Sequence, residues 1–203
     1  MNRPLNIAHR GGANLWPENT LEAFDNAINA GVDGIECDIQ HTRDDRLVIH
    51  HDDRLKPEAT RESGNWLTAP TPRIRELDRS ELDVLDVGRL QPDSAYSQTR
   101  AGQTPIDGAR IPDFDAVNRL IATRTGPEFR LYCELKTHLL DDTARTPAIW
   151  QICFVHTGRL TQCAHARMSS HLTGGVWSMC APPFPTCLLP IQPRPLYRSG
   201  SRP

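Results

Sequence analysis

The 203-residue chain predicts an α/β fold in which strands and helices alternate and the reactive side chains gather on one rim. Two observations carry that expectation. Apolar residues recur first at helical and then at period-two spacing along the first two thirds of the chain. In addition, His9-Arg10-Gly11, Glu36-x-Asp38, His51-Asp52 and Glu134-Leu135-Lys136 each fall at, or just beyond, the C-terminal end of a strand-like stretch. In a barrel of alternating strands and helices, that end is where chemistry is done.

The elements follow in order. The chain enters its first strand by Leu5. Asn19 has the chemistry of a helix N-cap, with Glu22 placed to complete a capping box. Leu21, Phe24 and Ile28 then recur at helical spacing, and Gly31 stops the helix. Residues 32–39 read as a strand with Ile35, Cys37 and Ile39 on one face and Glu36 and Asp38 on the other. Residues 47–52 read as another, placing Leu47, Ile49 and His51 opposite Val48 and His50; periodicity does not say which histidine faces the mouth. Residues 53–112 are rich in charge and turn signals (Lys56-Pro57, Ser63-Gly64, Pro70-Thr71-Pro72), and residues from 115 to 120 or beyond read as a short helix. In the strand 129–136, Tyr132, Glu134 and Lys136 share a face, while Leu131, Cys133 and Leu135 turn toward covering helices.

Residue types on the polar faces define the chemistry. Glu36 and Asp38, about 7 Å apart on one strand face, repel unless protons or a cation intervene, and a hard divalent metal bound through oxygens resolves the conflict. Glu134 adds a third oxygen ligand. Two histidines, three carboxylates, an arginine and a lysine on one rim describe a metal-assisted site for a phosphate ester. Cleaving a phosphodiester requires the phosphate charge neutralised, a nucleophile deprotonated and a leaving alkoxide protonated. Glu36, Asp38 and Glu134 would hold one Mg²⁺ or Ca²⁺. Arg10 offers a bidentate fork and Lys136 a point charge to the phosphate. Histidine's unperturbed pKa near 6.5 suits proton transfer at neutral pH, so His9 can trade acid and base roles with whichever of His50 and His51 faces the mouth.

These clusters, together with Pro17-Glu18-Asn19-Thr20, stand in an order that resembles the glycerophosphodiester phosphodiesterase family over residues 5 to 142. The resemblance implies a TIM-type (β/α)8 barrel of the phospholipase C-like phosphodiesterase kind. Residues 1–142 would supply its first four strands, with 53–112 as the family's insertion. It selects His51 over His50 as catalytic partner of His9. It also gives Arg10 and Lys136 to the phosphate, Glu36, Asp38 and Glu134 to the metal, and supporting places to Glu18, Asn19 and Asp52. The implied reaction is metal-dependent hydrolysis of a small-molecule glycerophosphodiester to sn-glycerol 3-phosphate and an alcohol. A related phospholipase acting on a lipid headgroup shares the barrel, the metal and the histidine pair. Asp113 departs from the threonine that the family often carries after Pro112.

Beyond residue 142 the composition changes. All 25 acidic residues precede residue 143, whereas about 11 would be expected in the last 61 at the earlier density. Both lysines lie earlier too, while four of the six cysteines and eight of the seventeen prolines fall in 143–203. The family's later Ser-Phe and Trp-Thr landmarks are absent. This segment is expected to be disordered or the product of a shifted reading frame, and the alternative to an enzyme is an inactive truncated remnant of one. A net charge of −2 and scattered arginines point away from nucleic acid. With neither a leader nor a membrane-spanning stretch legible, a cytoplasmic protein without stable membrane insertion is expected, although some members of the family are exported. Cys37 and Cys133 are expected as buried thiols, since no Cys-x-x-Cys spacing occurs.

Overall fold

The computed structural model describes residues 3–136 and two short strands at 167–168 and 177–178. The expectations for 143–203 otherwise lie outside the described residues. The chain runs β1 (Ile7–Ala8), a 3₁₀ turn at His9–Gly11, α1 (Leu21–Asn29), β2 (Gly34–His41) and β3 (Leu47–Ile49). An excursion follows, made of β4 (Arg61–Glu62), β5 (Asn65–Trp66), α2 (Arg79–Asp83), β6 (Leu85–Asp86) and α3 (Ala95–Gln98). α4 (Phe114–Arg124) and β7 (Arg130–Leu135) return to the main sheet. β8 (Arg167–Met168) and β9 (Trp177–Ser178) pair with each other in antiparallel fashion.

β2 is the centre of the main sheet. β1 pairs with it in parallel at Ile7↔Gly34, and β7 pairs in parallel on its other edge from Gly34↔Arg130 to Ile39↔Leu135. β1, β2 and β7 are thus the parallel strands of a partial barrel. Each parallel crossover carries a helix, α1 before β2 and α4 before β7, because joining parallel strands takes a long connection.

The strand expected at 47–52 is shorter and runs the other way. β3 stops at Ile49 and pairs antiparallel with β2 through Ile39↔Ile49 and His41↔Leu47. Its linker, residues 42–46, is a tight hairpin closed by Thr42 N–H to the Arg46 carbonyl (2.9 Å) and Arg46 N–H to Thr42 Oγ1 (3.0 Å). Five residues cannot make the crossover that a parallel neighbour would need. His50 to Asp52 leave the strand because the Gln40 side chain collects their carbonyls, donating to His50 O (3.1 Å), His51 O (3.3 Å) and Asp52 O.

α1 and α4 cover one face of the sheet. Phe24, Ala27, Phe114 and Val117 pack there against Ile35, Cys37, Ile39 and Cys133, all nearly or fully buried. The period-two reading of β2 holds: its apolar face is core and its acidic face points to the rim. Cys37 and Cys133 are buried free thiols, register partners with their sulfurs 3.8 Å apart. Hydrogen bonding between the two, together with burial, pushes the Cys37 thiol up. The excursion has its own core of Leu55, Ile74, Leu77, Leu82, Leu85 and Ile111, reached from β3 by Val48. The helix predicted from 115 is the eleven-residue α4. Among the described residues no helix is long and apolar enough to cross a membrane.

The N-terminus of α1 differs from expectation. Thr20, not Asn19, is the N-cap: its hydroxyl accepts from Ala23 N–H at 3.2 Å. Asn19 sits one residue earlier in a left-handed conformation (φ 59°) with its side chain buried elsewhere. A side chain drawn into a buried network is unavailable to the helix end, and the adjacent hydroxyl takes the capping place.

Candidate active site

The geometry starts from β2 and β7. Side chains alternate along a strand, so Glu36 and Asp38 leave β2 on the face opposite Ile35 and Cys37. The register Asp38↔Glu134 then brings a third carboxylate alongside. One oxygen from each of Glu36, Asp38 and Glu134 lies within 4.8 Å of the others, a spacing that could hold a metal ion. Lys136 Nζ bridges two of them, 2.9 Å from Asp38 Oδ1 and 2.8 Å from Glu134 Oε1.

The His9–Gly11 turn supplies the other wall. Arg10 adopts φ 52° and donates its backbone N–H to Glu36 Oε2 at 3.0 Å. Its guanidinium lies 3.3 Å from Asp38 Oδ2 and 3.1 Å from Glu18 Oε1. Gly11 (φ 76°) is required here, since a Cβ would come within 2.7 Å of the Phe24 ring. Asn19 completes the cradle, donating to Asp38 Oδ2 at 2.7 Å and accepting the Asp38 N–H at 3.4 Å. Left-handed backbone at both Arg10 and Asn19 is the kind of local strain that accumulates at functional sites.

The electrostatics separate the carboxylates. Burial, reinforced by the charge of Asp38, pushes Glu36 up to about 7. Burial also acts on Asp38, but hydrogen bonds from Asn19 and Lys136 outweigh it and hold that carboxyl below its ordinary value. Three carboxylates against Arg10 and Lys136 leave a local excess of negative charge. An oxygen-only donor set with one ligand resisting ionisation fits a hard divalent cation.

The histidines stand on either side. His9 Nε2 is 3.8 Å from Glu36 Oε2 on a largely exposed side chain, and partial burial with the Arg10 charge lowers its pKa. His51 Nδ1 is 3.0 Å from Asp52 Oδ1, and Asp52 Oδ2 is 2.8 Å from Lys56 Nζ. Burial works against ionisation of Asp52, yet its bonds to His51 and Lys56 hold it well below the usual carboxylate range. His50 turns instead into a cavity shared with Glu18, Asp52, Lys56 and Tyr96, where desolvation lowers its pKa.

All ten side chains expected from sequence therefore belong to two connected groups, one around the carboxylate cluster and one around His51-Asp52. Four further residues join them. Gln40 continues the 36, 38, 40 face of β2 and fixes the backbone that carries His51, a role that the period-two pattern signals. Lys56 follows Asp52 at i+4. Tyr96 and Arg100 come from α3 and just beyond it, with no local signal: Arg100 lies 3.6 Å from Glu18, and its guanidinium carbon is 5.6 Å from the Tyr96 ring centroid.

The profile of the Glycerophosphoryl diester phosphodiesterase family matches residues 9–140, which include every one of these side chains. The chain belongs to that family. A glycerophosphodiester phosphodiesterase of Bacillus altitudinis is 52% identical over 133 residues, 66% of this chain and 45% of the relative. One from Caldanaerobacter subterraneus subsp. tengcongensis is 30% identical over 138 residues, 68% of this chain and 47% of the relative. A solved Silicibacter pomeroyi structure, assigned as a glycerophosphoryl diester phosphodiesterase, superposes with a TM-score of 0.66 at 29% identity, covering 77% of this chain and 55% of that one. The match spans less than half the length of the two curated relatives. The β1–β2–β7 sheet is accordingly part of the family's TIM-type barrel.

Proposed function

We propose that this site serves metal-dependent hydrolysis of glycerophosphodiesters to sn-glycerol 3-phosphate and an alcohol. The observation that carries the reading is the convergence of Glu36, Asp38 and Glu134 within 4.8 Å beside Arg10, Lys136 and two histidines. Glu36, Asp38 and Glu134 are the residues that would hold Mg²⁺ or Ca²⁺, which supplies Lewis-acid neutralisation of a phosphate oxygen. Arg10, already oriented by Glu18 and Asp38, presents its guanidinium to the same phosphate, and Lys136 adds charge. Asp52 accepts from His51 Nδ1 and leaves Nε2 to handle the proton. His9, biased toward its neutral form, accepts the proton of the nucleophile, and His51 returns one to the leaving alkoxide.

The test is release of sn-glycerol 3-phosphate from a panel of glycerophosphodiesters and intact phospholipids, with divalent cation and then with EDTA. The reading expects release only with cation, and a fall of about a hundredfold or more in His9→Ala and in His51→Ala. Full activity in EDTA, or in both variants, would remove the mechanism. Preference for an intact lipid headgroup would move the chain to the related phospholipase reaction. A second reading, an inactive remnant, is favoured by the composition of residues 143–203, which hold no acidic residue and lack the family's later Ser-Phe and Trp-Thr landmarks. It expects cation binding without turnover of any member of the panel.

A further inference from the structure

We propose that Lys56 and Tyr96 are positioning residues: they fix the Asp52 carboxylate and, through it, orient His51 to protonate the leaving alkoxide. The inference rests on the glycerophosphodiester reading above and adds to it a part played by the excursion. Asp52 reaches two partners through different oxygens. Its Oδ1 faces His51 Nδ1 at 3.0 Å, and its Oδ2 faces Lys56 Nζ at 2.8 Å. A carboxylate bonded to the imidazole alone could turn about its side-chain torsions, and the ring would turn with it. The charge-assisted contact on the second oxygen removes that freedom. Gln40 already fixes the backbone, since its amide collects the carbonyls of His50, His51 and Asp52. What Gln40 leaves free is the Asp52 side chain, and Lys56 takes hold of it.

Lys56 in turn needs support, because a lysine carries its charge on a long, flexible stem. Two features supply it. Pro57 confines the residue before it to extended backbone, and Lys56 takes φ −85° and ψ 138° there. The Tyr96 ring then receives the ammonium, with Lys56 Nζ 4.5 Å from its centroid. Tyr96 belongs to α3, whose first turn is capped by Ser94 Oγ accepting from Ser97 N–H at 3.0 Å. Gln91 N–H donates to the Glu58 carbonyl at 2.7 Å and ties the approach to α3 to the 3₁₀ turn Pro57–Ala59. The space that Asp52, Lys56 and Tyr96 share with Glu18 and His50 is about 30 Å³, too small for a substrate group. These side chains therefore act on one another rather than on a ligand. An ion pair whose partners are each about a third exposed adds little stability. What it supplies is geometry, and a misplacement of about 1 Å can cost about a hundredfold in rate.

The experiment uses the full chain with divalent cation and two esters, glycerophosphoglycerol and glycerophospho-p-nitrophenol. The alcohol of the first leaves as an alkoxide and needs a proton, whereas the second releases a stabilised phenolate that does not. Lys56→Met and Tyr96→Leu should each lower kcat for glycerophosphoglycerol by about tenfold with KM unchanged, and kcat for the p-nitrophenyl ester by less than about twofold. The two changes together should cost no more than Lys56→Met alone. Tyr96→Phe keeps the ring face and should recover what Tyr96→Leu loses. A merely structural role would lower turnover of both esters alike; that outcome, or no loss in Lys56→Met, would overturn the proposal while leaving the glycerophosphodiester reading in place. Should Lys56→Met not fold, the contrast between Tyr96→Leu and Tyr96→Phe decides. If the wild type turns over neither ester, the glycerophosphodiester reading fails, and NMR of the His51 ring in EDTA decides whether Lys56 and Tyr96 hold it. A single Nδ1–H tautomer in the wild type and a mixture in Lys56→Met would support that hold. The same state in both would overturn it.

Discussion

Glu36→Gln should strengthen the metal-free fold at alkaline pH while weakening its hold on a divalent cation. The side chain is largely buried, beside the Asp38 carboxylate, and its carboxyl is pushed from the ordinary 4.5 to about 7. Because the folded carboxyl holds its proton more tightly than the unfolded one, the stability it contributes is fully present below about pH 4.5 and is lost as pH rises through about 7. The displacement corresponds to about 3 kcal/mol at pH 8. Glutamine keeps an oxygen to accept the Arg10 N–H, now made at 3.0 Å, and cannot ionise, so it escapes that loss. Urea unfolding in EDTA at pH 4.5, 6 and 8, followed by tryptophan fluorescence, reads the difference directly. The variant should match the wild type at pH 4.5 and exceed it by about 2–3 kcal/mol at pH 8. Adding Ca²⁺ at pH 8 should stabilise the wild type more than the variant. A variant less stable at pH 8, or a gain independent of pH, would refute the reasoning.

Other perturbations probe the same frame. Gly11→Ala forces an L residue into φ 76° and brings its Cβ to 2.7 Å from the Phe24 ring, so unfolding by urea should show a loss of about 2–4 kcal/mol. Lys136→Met removes the bridge between Asp38 and Glu134; stability in EDTA should fall by about 3 kcal/mol and recover in part on adding Ca²⁺, whereas an unchanged midpoint in EDTA would mean that the bridge carries no net stabilisation. For residues 143–203, translation of the other two forward frames of the coding DNA should reveal the missing Ser-Phe and Trp-Thr segments; their absence from every frame would dismiss the frameshift account.

Much of this architecture was legible because it is local. The alternation of Ile35, Cys37 and Ile39 with Glu36 and Asp38 is fixed by strand geometry, and it foretold both the core face and the acidic face of β2. The same rule failed beyond Ile49, where the backbone is shaped by a tight hairpin and by the Gln40 side chain rather than by strand periodicity. Asn19 misled for a related reason. Its propensity as a helix cap is real, but a bond to Asp38, nineteen residues away in sequence, outcompetes it and passes the cap to Thr20. Tyr96 and Arg100 were invisible, since only the folding of the excursion brings them beside Glu18. What the sequence hid was long-range pairing.

The central claim is that carboxylates from two adjacent parallel strands form one divalent-cation site. Calorimetric titration of the chain with Ca²⁺, and separately with Mg²⁺, tests it most directly. One cation should bind per chain, with affinity falling about a hundredfold or more in Asp38→Asn and in Glu134→Gln, variants that each remove a ligand charge. Absence of saturable binding, or binding left unchanged by both substitutions, would contradict the account.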